Sequence, residues 1–328
     1  MSRGDFLNNV INNKQLIGAK GINSDLKLFK VGKVKEVYEL ESGNELEFRF
    51  TNNISVFDKV IPTSVPKKGE TLCKTSTFWF KRANDMNILS HYISNPDANL
   101  MRVRKVDIIK DYSKINHSTT NYLIPLEFIC RYYIAGSLYN RLQAGKVAPT
   151  SLGFDANTSL EYGTKLPEPL IEVTTKLEPV DRLLSLEEAM KIAGLTKEEY
   201  DNICDTIFKL DEKVNSEIET RGLIHVDGKK EFAFDPDRNL MLVDTFGTAD
   251  EDRFWDRAKY EQGEFVELSK EYVRQHYKRI GYYDSLMYAR DTSQPEPDIP
   301  PLDENTTKAV SELYVELFEK ITGQKFVN

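Results

Sequence analysis

Alternation of apolar and polar positions marks the first third of the chain as mostly strand. Residues 45–51 read Glu-Leu-Glu-Phe-Arg-Phe-Thr, which puts Leu46, Phe48 and Phe50 on one face. Residues 26–31 lead into Gly32-Lys-Val-Lys-Glu-Val-Tyr-Glu-Leu40, and Glu41-Ser-Gly-Asn44 is turn chemistry. The pattern predicts an antiparallel hairpin whose first strand begins at Gly32. A helix is predicted over about 70–84, carrying Phe78, Trp79 and Phe80. Residues 111–121 are poor in apolar positions and read as a loop or lobe boundary. Residues 122–131 are apolar and strand-like, and Gly136-Ser137 reads as the cap of a short helix through Arg141. Residues 148–180 hold Pro149, Pro167, Pro169 and Pro179 and read as irregular. Ser185-Leu-Glu-Glu188 and Thr196-Lys-Glu-Glu199 read as capping boxes. The second opens a helix with Tyr200, Ile203, Ile207, Leu210, Val214 and Ile218 at helical spacing, which is a core stripe. Further helices are predicted over about 265–280 and, after a Pro-rich connector at 294–301, over a last stripe of Val310, Leu313, Leu317 and Ile321 stopped by Gly323.

One hairpin stands out. Glu231-Phe-Ala-Phe-Asp235 and Leu240-Met-Leu-Val-Asp244 alternate on either side of Pro236-Asp-Arg-Asn239. If Asp235 pairs with Leu240, Glu231 pairs with Asp244, and Phe232, Phe234, Met241 and Val243 share the other face. Two acids side by side call for a cation. Oxygen ligands of this kind suit Mg²⁺ shared with phosphates, and they equally suit an exposed, solvated face.

The chain has 328 residues, enough for one large two-lobed domain or two ordinary ones. A net charge of −8 makes a nucleic-acid backbone a poor main partner. No apolar run is long enough to cross a bilayer, and residues 1–10 lack the apolar segment of a signal peptide. Cys73, Cys130 and Cys204 form no CxxC and read as reduced thiols of a cytoplasmic protein. His91, His117, His225 and His276 show no zinc-ligand spacing. No internal repeat is evident.

Three more segments carry candidate chemistry. Gly32 lets the backbone approach a ligand, and Lys33 and Lys35 fall on one strand face, toward phosphates or simply toward water. Arg131 ends an apolar strand and presents an anion-binding fork, or else an internal ion pair with Glu127. Arg253 follows Asp244 by nine positions and serves as a second clamp or neutralises the acids around it.

Together these segments resemble one family, phosphoribosylaminoimidazole-succinocarboxamide (SAICAR) synthetase. The resemblance runs in order through 32–38, Ile-Ser-Val-Phe-Asp-Lys-Val-Ile-Pro-Thr at 54–63, Lys-Gly-Glu-Thr-Leu at 68–72, Ile124-Pro-Leu-Glu-Phe-Ile-Cys-Arg-Tyr-Tyr-Ile-Ala-Gly-Ser137 and Leu166-Pro-Glu-Pro169. It continues through Thr175-Lys176, Asp227-Gly-Lys-Lys-Glu-Phe232, Asp244, Arg253-Phe-Trp255 and Tyr272-Val-Arg274. It implies an α+β fold, with an antiparallel-sheet lobe over a larger α+β lobe, ATP in the cleft between them, and an outline similar to protein kinases. The implied divisions are 1–122 for nucleotide, 123–290 for substrate and metal, and 291–328 as connector and final helix. The implied reaction is ATP- and Mg²⁺-dependent ligation of L-aspartate to carboxyaminoimidazole ribonucleotide (CAIR), through a phosphorylated carboxylate, in purine biosynthesis. The implied assembly is a monomer or small homo-oligomer, with no nucleic-acid or membrane partner.

By the same resemblance, Gly32, Lys33 and Lys35 meet ATP phosphates and Glu127 lies near the adenine. Glu231 and Asp244 hold Mg²⁺, and Lys229 reaches the reacting phosphate. Arg131, Ser137 and Arg253 bind substrate anions, with Arg253 also catalytic, while Ser55, Asp58, Lys176 and Asp181 line the substrate cleft. The chain departs from the family pattern at Val180, Lys230, Ala233, Thr245, Ala249 and Glu251-Asp252, positions expected near the aspartate and imidazole pockets. Two other readings remain: a ligase of altered acceptor or non-catalytic nucleotide-binding paralogue, and a kinase-type phosphotransferase. The kinase reading lacks an Asn five residues after Asp227, where Phe232 stands.

Overall fold

The computed structural model describes residues 26–327. The N-terminal segment read for a missing leader, and the start of the expected nucleotide lobe, lie outside them. The first sheet is antiparallel throughout. It contains β1 (Lys27–Val31), β2 (Lys35–Glu39), β3 (Glu45–Phe50) and, beyond a β4 (Asn53–Val56) and β5 (Lys59–Ser64) hairpin and helix α1 (Lys68–Asp85), β6 (Tyr92–Asp97) and β7 (Leu100–Arg104). Its order is β1-β2-β3-β7-β6. The expected Leu46, Phe48 and Phe50 face is buried, and α1 joins the same core through Leu72, Phe80 and Ala83.

The second sheet follows. It is built from β8 (Tyr122–Leu123), β9 (Leu126–Tyr133), β10 (Lys165–Thr175) after helix α2 (Gly136–Gln143), and β11 (Leu223–Phe234), β12 (Leu240–Val243) and β13 (Asp252–Asp256) after helices α3 (Leu186–Ala193) and α4 (Lys197–Glu219). β11 is its spine, because β9, β12, β13 and β8 all pair with it. α4 covers the rear with Ile203, Ile207, Leu210, Val214 and Ile218, all buried as the spacing predicts. Then come α5 (Arg257–Tyr260), α6 (Glu271–Arg279), α7 (Tyr282–Asp291) and α8 (Glu304–Thr322). α8 packs on α1 and α4 and ends at Gly323, whose φ of 71° is the left-handed stop that glycine permits. No described helix is long and apolar enough to cross a membrane.

Several sequence expectations need correction. The hairpin register is one residue off: Glu231 faces Val243 and Phe234 faces Leu240. Its loop closes early, with Asp235 N donating to Asn239 O at 3.0 Å and Arg238 at φ 61°. A turn followed by a left-handed residue is a common three-residue hairpin solution, and the Asn239 side chain gave no hint of it. A one-residue slip exchanges faces. Phe232, Phe234 and Leu242 therefore join the main core, while Ala233, Met241 and Val243 form a cluster on the side of Glu231.

The irregular reading of 148–180 misses β10. Its prolines are tolerated because it is an edge strand whose register shifts between Lys165 and Leu170, where no ladder donor is needed. Gly32 and Lys33 lie in the β1–β2 turn rather than on a strand, closed by Gly32 N to Lys35 O at 2.8 Å. The helix expected from 265 begins at Glu271, because Glu267 instead bridges to Trp255 on β13. Ala135, not Gly136 or Ser137, is the cap of α2. Ser185 accepts from Glu188 N, whereas the Thr196–Glu199 box closes in both directions.

The burial of α4 sets a contrast between adjacent residues. Ile207→Ala should cost about 2–5 kcal/mol in urea unfolding, as for other buried aliphatic truncations. Phe208→Ala, at a position 39% exposed, should stay within about 0.5–1 kcal/mol. Equal losses would mean that the helix buries a different face.

Candidate active site

Cross-strand pairing builds one charged face on the second sheet. Arg131 lies opposite Asp227 and Leu170, Ile129 opposite Lys229 and Glu172, and Glu127 opposite Thr174. Asp227 also faces Arg253 on β13. Period-2 alternation thus aligns Asp227, Lys229 and Glu231 along β11. The intervening Phe128, Cys130, Lys230 and Phe232 point to the rear. Lys230 is fully buried there against Asp211 of α4, so this departure is not in a substrate pocket.

Glu231 and Asp244 do come together, although not as opposed partners. Asp244 is the first residue past β12 and has a φ of 60°, a conformation that Asp tolerates better than most side chains. Lys176 ion-pairs with Glu231 Oε2 and lies 4.0 Å from Asp244 Oδ2. Lys35 pairs with Asp244 Oδ1 from the first sheet. Lys229 Nζ contacts Glu231 Oε1 at 2.6 Å, Glu127 Oε1 at 3.1 Å and Glu251 Oε2 at 3.3 Å. Four carboxylates are therefore interleaved with three ammonium groups.

The balance shows in the titration of each group. Burial works to raise the Asp244 carboxyl, but Lys35 and then Lys176 and Lys229 hold it far below the usual range. Burial likewise opposes ionisation of Glu231, and Lys176 and Lys229 outweigh it. Burial would lower Lys229, yet Glu231, Glu251 and Glu127 hold it well above its ordinary value. Glu127 is the exception: burial pushes it up to about 7 against the pull of Lys229.

Lys35, Lys176, Glu231, Asp244 and Glu251 of this cluster line a cleft of about 280 Å³ between the sheets. Gly32, Lys33 and Lys35 edge it, Val37, Phe48 and Val103 form an apolar wall, and Leu123 and Val243 face them. A Cβ on Gly32 would lie 2.9 Å from Lys35 O, so the turn needs glycine for closeness. Glu127 belongs to the lysine cluster rather than to the apolar lining where a flat base would fit. Lys33 reaches across to Asp58 at 2.5 Å, and Asp58 sits in the β4–β5 turn at φ 67°. Ser55 Oγ accepts from Lys270 Nζ at 3.4 Å, and Asp181 is exposed on the loop after β10.

Arg131, Ser137 and Arg253 form a second, drier group. Arg131 donates from Nε to Glu172 at 2.7 Å, from Nη1 to Asp227 Oδ2 at 3.0 Å and from Nη2 to Ser137 Oγ at 3.0 Å. The internal ion pair is real, but its partners are Glu172 and Asp227 rather than Glu127. Arg253 Nη1 donates to the same Asp227 oxygen at 2.7 Å. Burial opposes ionisation of Asp227, and Arg253 and Arg131 together keep it charged. Gly136 leaves room for this, since a Cβ there would meet Arg253 Nη2 at 2.7 Å.

Sequence reading named Glu251 only as a departure from the family pattern, and gave Asp227 and His91 no role in the site. Asp227 was findable from its i, i+2, i+4 spacing with Lys229 and Glu231. Glu251 was hidden in an acidic run. His91 is buried, which lowers it to about 4, so its neutral ring donates from Nε2 to Asp244 O at 3.1 Å and steadies the turn. No local pattern announces that contact. Among the described residues no three His, Cys, Asp or Glu side chains form a metal cage. Glu231 Oε2 is buried and makes no hydrogen bond of regular geometry, its charge being met by the Lys176 ammonium. That oxygen beside a second carboxylate fits Mg²⁺ completed by phosphates and exchanged for the ammonium, not a self-sufficient metal centre.

Comparison with known proteins gives a consistent picture. The SAICAR synthetase family pattern matches residues 28–287. The phosphoribosylaminoimidazole-succinocarboxamide synthase of Thermoplasma acidophilum is 52% identical over 301 residues, covering 92% of this chain and 100% of the relative. A solved SAICAR-synthase from Saccharomyces cerevisiae, complexed with SAICAR, shares the fold at a TM-score of 0.72 and 24% identity, covering 95% of this chain and all of the other. A SAICAR synthetase in complex with ADP does so at 0.66 and 24%, covering 92% and 100%.

The raised Glu127 carboxyl makes stability depend on pH. A carboxyl that holds its proton more tightly folded than unfolded stabilises below its ordinary value of 4.5 and loses that contribution as pH rises through about 7. Glu127→Gln lacks this loss. Measured by urea unfolding without metal or nucleotide, the variant should gain on the wild type from pH 5 to 8. A difference that stays flat with pH would refute the assignment.

Proposed function

The chain belongs to the SAICAR synthetase family, and from that premise we propose that it is the ATP-dependent ligase that joins L-aspartate to CAIR. The products are SAICAR, ADP and phosphate, and the reaction is a step of purine biosynthesis. The observation that carries this reading is the alternation of Lys35 and Lys176 with Glu231 and Asp244 along a cleft edged by the Gly32 turn, with Lys229 paired to Glu231.

A carboxylate acylates poorly until its oxygen is phosphorylated. The CAIR carboxylate attacks the γ-phosphorus, and the bond to the ADP oxygen breaks. The aspartate amine then attacks the acyl carbon, phosphate leaves, and the nitrogen sheds a proton. Both steps bring anions together, so catalysis here is largely charge stabilisation. Lys33 and Lys35 hold the phosphates from the glycine turn, Lys229 stabilises the transferring group, and Lys176 neutralises charge beside it. Glu231 and Asp244 would hold Mg²⁺, which when bound supplies Lewis-acid neutralisation of the phosphates. Glu127 orients Lys229, and the base rests against Val37, Phe48 and Val103. Arg253 and Ser137 bind the ribonucleotide's anionic groups, and Arg131 holds Ser137 and Asp227 in position. Ser55, Asp58 and Asp181 line the substrate side. In this reading the part before residue 122 carries nucleotide and residues 123–290 carry substrate and metal.

An ADP-release assay with ATP, Mg²⁺, CAIR and L-aspartate tests the activity, and turnover that does not require aspartate would sink it. Asp244→Asn should keep a native near-UV spectrum while losing roughly 10²–10³-fold in kcat, the usual loss for a charge-stabilising group. Wild-type rates in that variant would remove Asp244 from the mechanism.

A further inference from the structure

Lys35 and Lys176 already occupy the two carboxylates that the proposed function assigns to metal. Lys35 opens β2 and pairs with Asp244 Oδ1, while Lys176 follows β10 and pairs with Glu231 Oε2 within 4.0 Å of Asp244 Oδ2. Two carboxylates this close cannot both stay ionised without a cation beside them. The ammonium groups of Lys35 and Lys176 supply that charge.

A divalent ion arriving alone must displace them. The two lysine side chains are only 19% and 17% exposed, so a displaced ammonium group stays poorly hydrated. Its nearest alternative acids are shared: Glu127, already 3.5 Å from Lys176, and Glu251 both contact Lys229. Stranding an ammonium group in such a site costs much of what the metal contact gains. A polyphosphate removes the obstacle, because its oxygens accept the released lysines while the metal takes their place on Glu231 and Asp244. A polyphosphate without metal meets the converse problem, since drawing the lysines away leaves two bare carboxylates facing more anions.

We propose that Lys35 and Lys176 are resident counter-cations that make divalent-metal binding conditional on a nucleoside polyphosphate in the same cleft. This rests on the reading of Glu231 and Asp244 as metal ligands. The coupling is reciprocal: whatever factor the nucleotide adds to metal affinity, the metal adds to nucleotide affinity. The lysines are thus specificity devices as well as phosphate contacts, because they discriminate the metal–nucleotide complex from either component.

Free Mn²⁺, read by its paramagnetic resonance signal against a protein-free Mn²⁺–ADP titration, tests this without turnover. In the wild type, saturating ADP should tighten Mn²⁺ binding on the order of tenfold or more, within the usual range of such couplings. Lys176→Met should bind Mn²⁺ alone about five- to tenfold more tightly than the wild type and show a smaller ADP enhancement, a change within the same range. Lys35→Met should move the same way, which guards against a folding defect in one variant. Lys33→Met removes an equal charge that touches neither carboxylate, and it should leave Mn²⁺ affinity in the absence of ADP within about twofold, as expected for an exposed, screened charge. Three results overturn the proposal: wild-type affinity unchanged by ADP, weaker Mn²⁺ binding in both contact variants, or an equal gain in Lys33→Met. Mn²⁺ that binds neither alone nor with ADP overturns the metal reading beneath it as well.

Discussion

The charge balance along one face of β11 is the constraint on which the rest depends. Asp227, Lys229 and Glu231 are largely removed from water, and a buried charge without a partner is far more costly than any single packing defect. Each therefore recruits a neighbour from a different element. Arg131 and Arg253 converge on Asp227, Glu127 and Glu251 on Lys229, and Lys176 on Glu231. The tertiary structure around β11 is in large part the set of positions from which those neighbours can reach.

The same balance joins the two sheets. Lys35 comes from the first sheet to Asp244, and His91, just before β6, donates to the Asp244 carbonyl. A turn that carries a site carboxylate is thus gripped from both sides, through its side chain and its backbone. Behind the sheet a separate polar group does similar work. Asp252 accepts from Gly247 N at 2.8 Å and lies 2.7 Å from His225 Nε2, with Lys230 3.8 Å away. The loop from Asp244 to Arg253 is therefore tied to the rear of β11 as well as to its front. Lys230 and Asp252 both belong to this support.

Periodicity made α4, α8 and β3 legible, because each buries one clean stripe. β10 was illegible because its prolines speak against a strand unless one knows that it is an edge with a register shift. Candidate site residues were legible where they alternate on a strand, as at Glu231, or where a resemblance supplied them, as at Lys229. Their partners were not, because an ion pair between residues 35 and 244 leaves no trace in local spacing. The sequence could say that Arg131 needed an anion, but it could not choose among Glu127, Glu172 and Asp227. Register decides that choice, and register is a property of paired strands.

The hairpin shows how far pairing arithmetic can be trusted. A slip of one residue placed Val243, not Asp244, opposite Glu231, and by simple alternation Asp244 belongs on the far side from Glu231. It is found near Glu231 because β12 stops at Val243 and the next residue enters the left-handed region at φ 60°. That conformation costs on the order of 1 kcal/mol for a non-glycine residue and persists only where its surroundings over-determine it. Here the surroundings are Lys35 and Lys176 on the carboxylate and His91 on the carbonyl. His91 donates from Nε2 because a carbonyl can only accept, and its ring is buried and held neutral beside the aromatic neighbours Phe48 and Phe80. The two acids therefore meet through a locally strained turn that charge and burial enforce. A regular ladder would have separated them.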